Sequence, residues 1–144
     1  MVNELSDFDK VYKIFIRMAK GIEPDSLPQS IQAQVDLIEY GVMIYNRKRE
    51  GNEIDIDSDF ETLTCDGEQL TDNEFLLLAH CMMLQIYMDM LNELASMLSM
   101  STKDSAIKDY KGQVSVRRQQ VKDQEFLINN LVLSMFDDFE NGVV

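Results

Sequence analysis

Residues Thr71–Met100 read TDNEFLLLAHCMMLQIYMDMLNELASMLSM, and this stretch decides the fold. It begins with a capping box, because the side chains of Thr71 and Glu74 are spaced to accept each other's backbone N–H. No Gly or Pro follows as far as Met100, and most of the residues favour helices. The stretch therefore predicts one helix of roughly 40 Å.

The faces of this predicted helix are unequal in polarity. At 100° per residue, the polar positions after the first turn share one narrow stripe, which comprises Gln85, Asp89, Asn92, Glu93, Ser96 and Ser99. Apart from His80, every other position there is apolar. We therefore expect neighbours to cover most of the helix circumference, and other copies of this short chain are candidates to supply part of that cover.

Two amphipathic helices are predicted before it. The first runs from Ser6 to about Lys20, with Gly21 as its terminating residue. Its other face is basic and is interpreted as solvated; it carries Lys10, Lys13, Arg17 and Lys20. The second helix runs from Pro28 or Ser30 to about Arg49. Its predicted apolar seam comprises Ile31, Val35, Ile38, Val42 and Tyr45.

The remaining segments complete an all-α bundle of about four helices in a single domain, residues 1–144. A small extended or hairpin excursion is expected near residues 52–66, because apolar and polar residues alternate and Asp66-Gly67 is a turn pair. Residues 99–115 are predicted to form a polar connector with a weak helical option around Lys103–Tyr110. A final helix follows over about Val114–Phe139, and its main seam comprises Val114, Val121, Ile128, Val132, Met135 and Phe139.

Charge is plentiful and unevenly distributed. The net charge of −13 disfavours a grip on nucleic acid, which needs clustered Lys and Arg. Glu50–Thr102 holds 12 acidic residues and no basic one, whereas Lys103–Lys122 holds six basic and two acidic residues. Opposite patches on one small domain favour head-to-tail self-association or docking onto a larger assembly.

Cysteine usage favours a reducing compartment, and the hydropathy pattern predicts neither a secretory signal nor a membrane span. Cys65 and Cys81 are too few and too irregularly placed for a disulfide framework. The N-terminal residues lack the pattern of a secretory signal. Residues 75–98 are not expected to cross a membrane, because polar and charged residues are spread along them.

The sequence predicts no catalytic, cofactor or metal site. Asp55, Asp57 and Asp59 resemble the start of a calcium-binding loop, but Phe60 stands where that loop needs Gly. We interpret these acids as solvated or facing a partner. His80 and Cys81 are adjacent, so on a helix they point roughly 100° apart and do not form a nucleophile–base pair. No recognised catalytic or phosphate-binding motif is present.

The final helix carries the candidate interface. Phe126 and Leu133 lie together, more than 100° from the main apolar seam by the helical repeat of about 3.6 residues. They form an apolar island in a polar face, to be covered either by another helix of the same chain or by a partner. Arg117, Arg118 and Lys122 are candidates for charged contacts. The acids at 137, 138 and 140 lie at the predicted helix C-terminus, where negative charge is unfavourable, which favours a basic partner there.

Three short motifs between about residues 63 and 139 resemble the small helical neck proteins of tailed bacteriophages, the head–tail connector or adaptor group. They are LTDNEFLLLA opening a long helix, the connector STKDS…IKDYKGQVS, and the closing helix VRRQQVKDQEFLINNLVLSMF. The resemblance implies an oligomeric ring beneath the portal, at the vertex through which DNA passes. It also implies contacts with portal, tail or other neck proteins, a place in the virion neck after assembly in the bacterial cytoplasm, and no catalytic residues.

Two other functions remain open from the residues. The carboxylates of residues 50–74 suit a small acidic binding module, such as an inhibitor or a DNA mimic that occupies a basic cleft. An enzyme accessory subunit or a calcium-regulated protein would rest on the Asp55, Asp57 and Asp59 run alone.

Overall fold

The described part of the chain folds into four α-helices, two short 3-10 helices (Ala19–Gly21 and Pro24–Ser26) and a small three-stranded antiparallel sheet. The computed structural model describes the backbone of residues 5–101 and 103–142, and the side chains of these residues except 105 and 136–142. The helices are α1 (Asp7–Met18), α2 (Ile31–Lys48), α3 (Asp72–Met100) and α4 (Asp104–Gly142); the strands are β1 (Ile54–Asp57), β2 (Thr62–Cys65) and β3 (Glu68–Gln69). The predicted class is confirmed as mainly helical, and the expected excursion is a sheet that extends to Gln69.

α3 is the central helix and begins at the predicted capping box. Thr71 Oγ1 accepts from Glu74 N at 3.2 Å, and Glu74 Oε1 accepts from Thr71 N at 2.9 Å. Glu74 also forms an ion pair with Arg49, with 3.4 Å between Glu74 Oε2 and Arg49 Nη1. This pair joins the end of α2 to the start of α3. The first half of α3 is enclosed by α1, α2 and α4, and its buried residues are Phe75, Leu77, Leu78, Ala79, Cys81, Met82, Met83, Leu84 and Ile86.

The second half of α3 is less covered than the sequence predicts. Beyond Ile86 its side chains are half-buried or exposed, and Met100 is 79% exposed. The cause is the shorter reach of the neighbouring helices, since the first turn of α2 lies beside Ile86 and Asp89. Past this level, α4 runs alongside α3, and the short 3-10 helix Pro24–Ser26 lies beside Met90 and Met97. The prediction that neighbours cover most of the circumference therefore holds only for the first half within this chain.

α4 folds back along α3 as an antiparallel partner. Gln124 Nε2 donates to the backbone oxygen of His80 at 2.9 Å, which fixes the register of the two helices. Within the predicted connector over residues 99–115, the structure adopts the helical option around Lys103–Tyr110 and extends it, because α3 continues to Met100 and α4 already begins at Asp104 and includes Gly112. A Gly inside a helix costs only about 1 kcal/mol. The burial of Val114, with Ile107 and Tyr110 half-buried at helical spacing, offsets that cost.

The main seam of the final helix is largely confirmed. Val114 and Ile128 are buried, and Val121, Val132 and Met135 are half-buried. The predicted seam residue Phe139 has no described side chain.

α1 and α2 cover α3 from its other sides. Ser6 caps α1 as predicted, but α1 ends in a short 3-10 turn, Ala19–Gly21, and Gly21 does not adopt a left-handed conformation. Ser30 caps α2, whose buried face centres on Ile38, Val42 and Tyr45. Ile31, the first residue of α2, is 78% exposed, so its predicted place in the seam is wrong.

α2 approaches α3 closely at Gly41. A Cβ atom built at Gly41 would lie 2.6 Å from Met82 Cγ, closer than real Cβ atoms approach a neighbour. The absence of a side chain at position 41 therefore lets α2 sit directly against the enclosed half of α3.

The sheet closes one end of the helices. β1 pairs with β2 and β2 with β3, both antiparallel, and the tight turn Asp66-Gly67 has positive φ at both residues, as a two-residue hairpin requires. Leu63 and Ile54 are buried under the sheet. Asp7 Oδ2 accepts from Leu63 N at 2.9 Å, and the Asn46 side chain pairs with both backbone groups of Ile54. These bonds tie the sheet to α1 and α2.

Candidate interaction surfaces

One residue of the acidic run Asp55, Asp57 and Asp59 stabilises the turn between β1 and β2. Asp57 Oδ1 accepts from Asp59 N at 3.0 Å and from Phe60 N at 3.3 Å, so it organises the connection between β1 and β2. Asp55 lies on β1, an extended strand, where it cannot belong to a loop wrapped around a cation. Within the described residues, no group of three or more His, Cys, Asp or Glu side chains could hold a metal ion. Asp55, Asp57 and Asp59 are all exposed.

His80 and Cys81, the adjacent histidine and cysteine, are packing residues of α3. Burial raises the pKa of the Cys81 thiol to about 12, so it is protonated at neutral pH. Burial lowers the pKa of His80, which favours the neutral imidazole. Gln124 Nε2 lies 3.1 Å from His80 Nδ1 in addition to bonding the His80 carbonyl. His80 therefore fastens α4 to α3, and its neighbour Cys81 fills the core.

A second polar cluster joins α2 to α3. Arg49 Nη1 donates to Tyr45 Oη at 2.9 Å and pairs with Glu74 at 3.4 Å. Burial raises the pKa of Tyr45 to about 12, although the nearby Arg49 acts against this. Each member of the cluster has a partner, which makes it a structural feature of the sheet end of the helices.

The apolar island of α4 faces away from the rest of the chain. Phe126 is 69% exposed and Leu133 is 60% exposed, whereas Ile128 on the opposite side is fully buried. Leu127, itself 38% exposed, extends the apolar surface, and Phe126 and Leu127 line an open depression together with Asp123, Asn130 and Leu131. Leu131 is half-buried and packs against the core, so it forms the inner edge of that depression. No other helix of the described chain covers the island, so the intrachain alternative does not hold here. We call Phe126, Leu127 and Leu133 the α4 outer face.

The predicted charged contacts lie at different levels along α3. Arg118 and Lys122 are exposed, and half-buried Arg117 donates to Gln120 Oε1 at 2.8 Å. They belong to the basic stretch that begins where α3 ends. The acidic sheet precedes the start of α3, so roughly the whole helix, about 43 Å, separates the first basic residues from the acidic sheet. The basic side chains of residues 103–122 are thus spread along α4, and its antiparallel register with α3 puts Lys122 nearer to the sheet than Lys103.

A groove between α1 and the start of α3 was missed by sequence reasoning. It encloses about 850 Å³ and has Lys10, Lys13 and Arg17 on its α1 side. The periodicity of α1 located this basic face, but solvation was its predicted role. The apolar residues beside it are Leu5, Ile14, Leu70, Phe75 and Leu76, and they come from segments more than 50 residues apart, which no local pattern connects.

α3 also has the length and composition of a membrane span. It is the one helix in the part of the chain described here that meets both criteria, and 56% of its most apolar 18-residue window is buried inside the protein. The core helix of a soluble protein meets the same criteria, so this feature carries no membrane assignment.

Comparison with protein families gives one match. The family described as YomZ prophage protein matches residues 5–137. The chain belongs to the YomZ prophage protein family. It is therefore a phage-derived protein. No curated protein and no solved structure matches it.

The YomZ match covers the whole arrangement described above. It includes α1, α2, α3, the sheet and α4 as far as residue 137. The α4 outer face and the α1–α3 groove both lie inside the matched YomZ region. The last seven residues, 138–144, lie beyond it.

Proposed function

We propose that this chain is a structural component of a phage particle, a subunit of an oligomeric ring in the neck that joins the portal and capsid to the tail, with no catalytic role. The observation that carries the proposal is the α4 outer face, which places Phe126 and Leu133 in solvent on a 39-residue helix. Membership of a prophage family and the resemblance to neck proteins support the same function.

The α4 outer face has the properties of an assembly surface. Burying a Phe or a Leu stabilises a contact by roughly 1.5–3 kcal/mol each, so water exposure of both is a cost that a partner would remove. Phe126 and Leu133 are two helical turns apart, a spacing that presents one line of side chains to a facing helix. Exposed Asp123, Asn129 and Asn130 flank them and supply a polar rim.

The charge distribution suits a ring around DNA better than a DNA-binding site. A chain with a net charge of −13 repels phosphates, so many copies would line a passage without holding the DNA. The proposed partners are other copies of the chain, the portal, and tail or other neck proteins.

A deletion in an inducible prophage tests the neck assignment. Without the gene for this chain, we expect DNA-filled heads and complete tails that remain unjoined, visible by negative-stain electron microscopy of lysates. Complementation with the wild-type chain should restore joined particles. Normal virions, or a lysate without heads, would overturn the assignment.

Self-association should be sensitive to salt. Charges exposed on the acidic sheet and on residues 103–122 attract across neighbouring molecules, and salt screens such charges over about 8 Å at physiological strength. In sedimentation velocity, raising NaCl from 0.05 to about 0.5 M should weaken association. Arg117→Glu with Arg118→Glu should do the same at low salt. Association that strengthens with salt would contradict this electrostatic contribution.

The acidic sheet supports a second candidate function, a small acidic binding module. Asp55, Asp57 and Asp59 are exposed, and no cation of the described chain forms an ion pair with them. The triple Asn variant at these positions separates the two functions. The neck proposal expects this variant to weaken self-association as raised salt does and still to give joined particles, and it expects Phe126→Asp with Leu133→Asp to abolish joining. The acidic module expects loss of function from the triple variant and none from the Phe126 and Leu133 pair.

A further inference from the structure

The α1–α3 groove is built to receive an acidic and apolar segment. Leu70 and Phe75 are buried at its floor, and Ile14 and Leu76 are half-buried beside them. Along the α1 side stand Lys10, Lys13 and Arg17, with Lys13 and Arg17 exposed. The α3 side presents the neutral Gln69, Thr71 and Asn73 and a single acid, Asp72. The groove therefore carries three cations against one anion around an apolar floor.

Among the described side chains, these three cations form no ion pair. The single ion pair among the described side chains is Arg49–Glu74, at another place on α3. Positions 10, 13 and 17 are three and four residues apart on one helix, and like charges at such spacing destabilise a helix by roughly 0.2–0.5 kcal/mol per pair. A bound anionic segment would convert this cost into a gain.

The chain contains a segment of the complementary chemistry. Residues 136–144 read FDDFENGVV, which combines three acids with two Phe and two Val. No Lys or Arg follows Lys122. The backbone of α4 is helical as far as Gly142, and acidic residues at a helix C-terminus oppose the helix dipole. A cationic partner at this end would relieve that opposition.

The geometry places the segment and the groove at one end of the molecule and on different sides. With Gln124 beside His80 in an antiparallel pair, residue 132 lies level with Asp72, the first residue of α3. The α4 backbone continues ten residues further, roughly 15 Å. α1 and α4 each pack extensively on α3 but little on one another. Copies standing side by side can thus place the end of one α4 against the next groove.

We propose that residues 136–144 of one copy dock in the α1–α3 groove of a second copy, with their acids against Lys10, Lys13 and Arg17 and their apolar residues on the floor. This inference rests on the proposed self-assembly and names a contact within it. The two surfaces differ, so the contact is heterologous, and a heterologous contact forms a closed ring when its rotation closes.

A charge-swap mixing experiment tests the contact. The groove variant carries Lys10→Glu, Lys13→Glu and Arg17→Glu. The C-terminal variant carries Asp137→Lys, Asp138→Lys and Glu140→Lys. Each alone opposes like charges and should associate at least about tenfold more weakly than wild type in sedimentation velocity. An equimolar mixture of the two variants should recover association, because the C-terminal segment of each variant then meets a groove of opposite charge on the other. Lys20→Glu and Glu125→Lys, which change charge outside both surfaces, should associate as wild type does.

Recovery on mixing distinguishes the proposed contact from the alternatives. Association that stays weakened in the mixture would overturn the inference, because every C-terminal segment then has a groove of opposite charge available. A segment that binds the groove of its own copy would instead leave each single variant associating as wild type does. Unchanged association of both variants would overturn it as well. Circular dichroism melting should show folded variants, which is expected because every substituted groove residue is exposed or half-exposed.

A peptide measurement separates this inference from the proposed function. A fluorescein-labelled peptide of residues 134–144 should bind the full chain in fluorescence anisotropy and bind the groove variant at least about tenfold more weakly. If the wild-type chain stays monomeric yet binds the peptide, the ring function fails while the groove specificity stands. If the chain assembles but neither the peptide binds nor the charge swap matters, the inference fails and the ring function stands.

Discussion

Replacing both Phe126 and Leu133 with Asp is expected to abolish self-association while leaving the chain folded. The two side chains are exposed within the chain, so their loss removes little of its own core. If they are buried in the assembly, about 3–6 kcal/mol of association free energy is lost, which corresponds to roughly a 10²- to 10⁴-fold weaker association. Sedimentation velocity over a range of concentrations measures this change.

A matched control distinguishes a specific surface from general loss of hydrophobicity. Ile31→Asp with Met43→Asp also places two Asp residues at exposed apolar positions of a helix, in this case α2. This pair should leave association unchanged. Equal effects of both pairs would contradict a role for the α4 outer face, and circular dichroism showing an unfolded Phe126→Asp, Leu133→Asp chain would place those residues in the core.

Gly41→Ala is expected to destabilise the fold by about 1–3 kcal/mol, because overpacking at a close helix contact forces its neighbours to move. The new Cβ would lie 2.6 Å from Met82 Cγ and 3.5 Å from the backbone N of Met82. Alanine favours helices over glycine by up to about 1 kcal/mol, and this gain is too small to offset the clash. Urea unfolding followed by circular dichroism gives the free energy of unfolding.

A double-mutant cycle with Met82→Ala tests the cause. Met82→Ala alone should cost about 2–5 kcal/mol, since Met82 is fully buried and its removal leaves a cavity. In that background the clashing Cγ atom is gone, so Gly41→Ala should be neutral or stabilising. A Gly41→Ala chain that is more stable than wild type, or costs that simply add, would show that the contact at Gly41 is not tight.

The sequence was most informative where structure depends on residues close together in the chain. The capping box of Thr71 and Glu74, the caps at Ser6 and Ser30, and the Asp66-Gly67 turn are each set by a few adjacent residues. The position of Phe126 and Leu133 away from the apolar seam is likewise local information, because the helical repeat alone separates them from Ile128, and both side chains are exposed.

Other features depend on which surfaces meet, and periodicity does not contain that information. The polar stretch before Val114 predicts a connector with only a weak helical option around Lys103–Tyr110, yet contact with α3 makes the residues from Asp104 onward part of α4. The second half of α3 is as apolar as a core helix, although α1 and α2 do not reach it. The α1–α3 groove needs Lys13 and Phe75 side by side, which only the fold establishes.

The uneven cover of α3 also has a mechanical consequence. Beyond Ile86, α3 and α4 form a two-helix lever, roughly 20 Å long on the α3 side, anchored at one end in the core. Segments with few buried contacts open at lower free energy than the core, so amide hydrogens near Met97 and Ile107 should exchange faster than those near Leu78. This lever carries four methionines, Met88, Met90, Met97 and Met100. Because methionine side chains are flexible and polarisable, the lever can adapt its contacts to surfaces of differing shape.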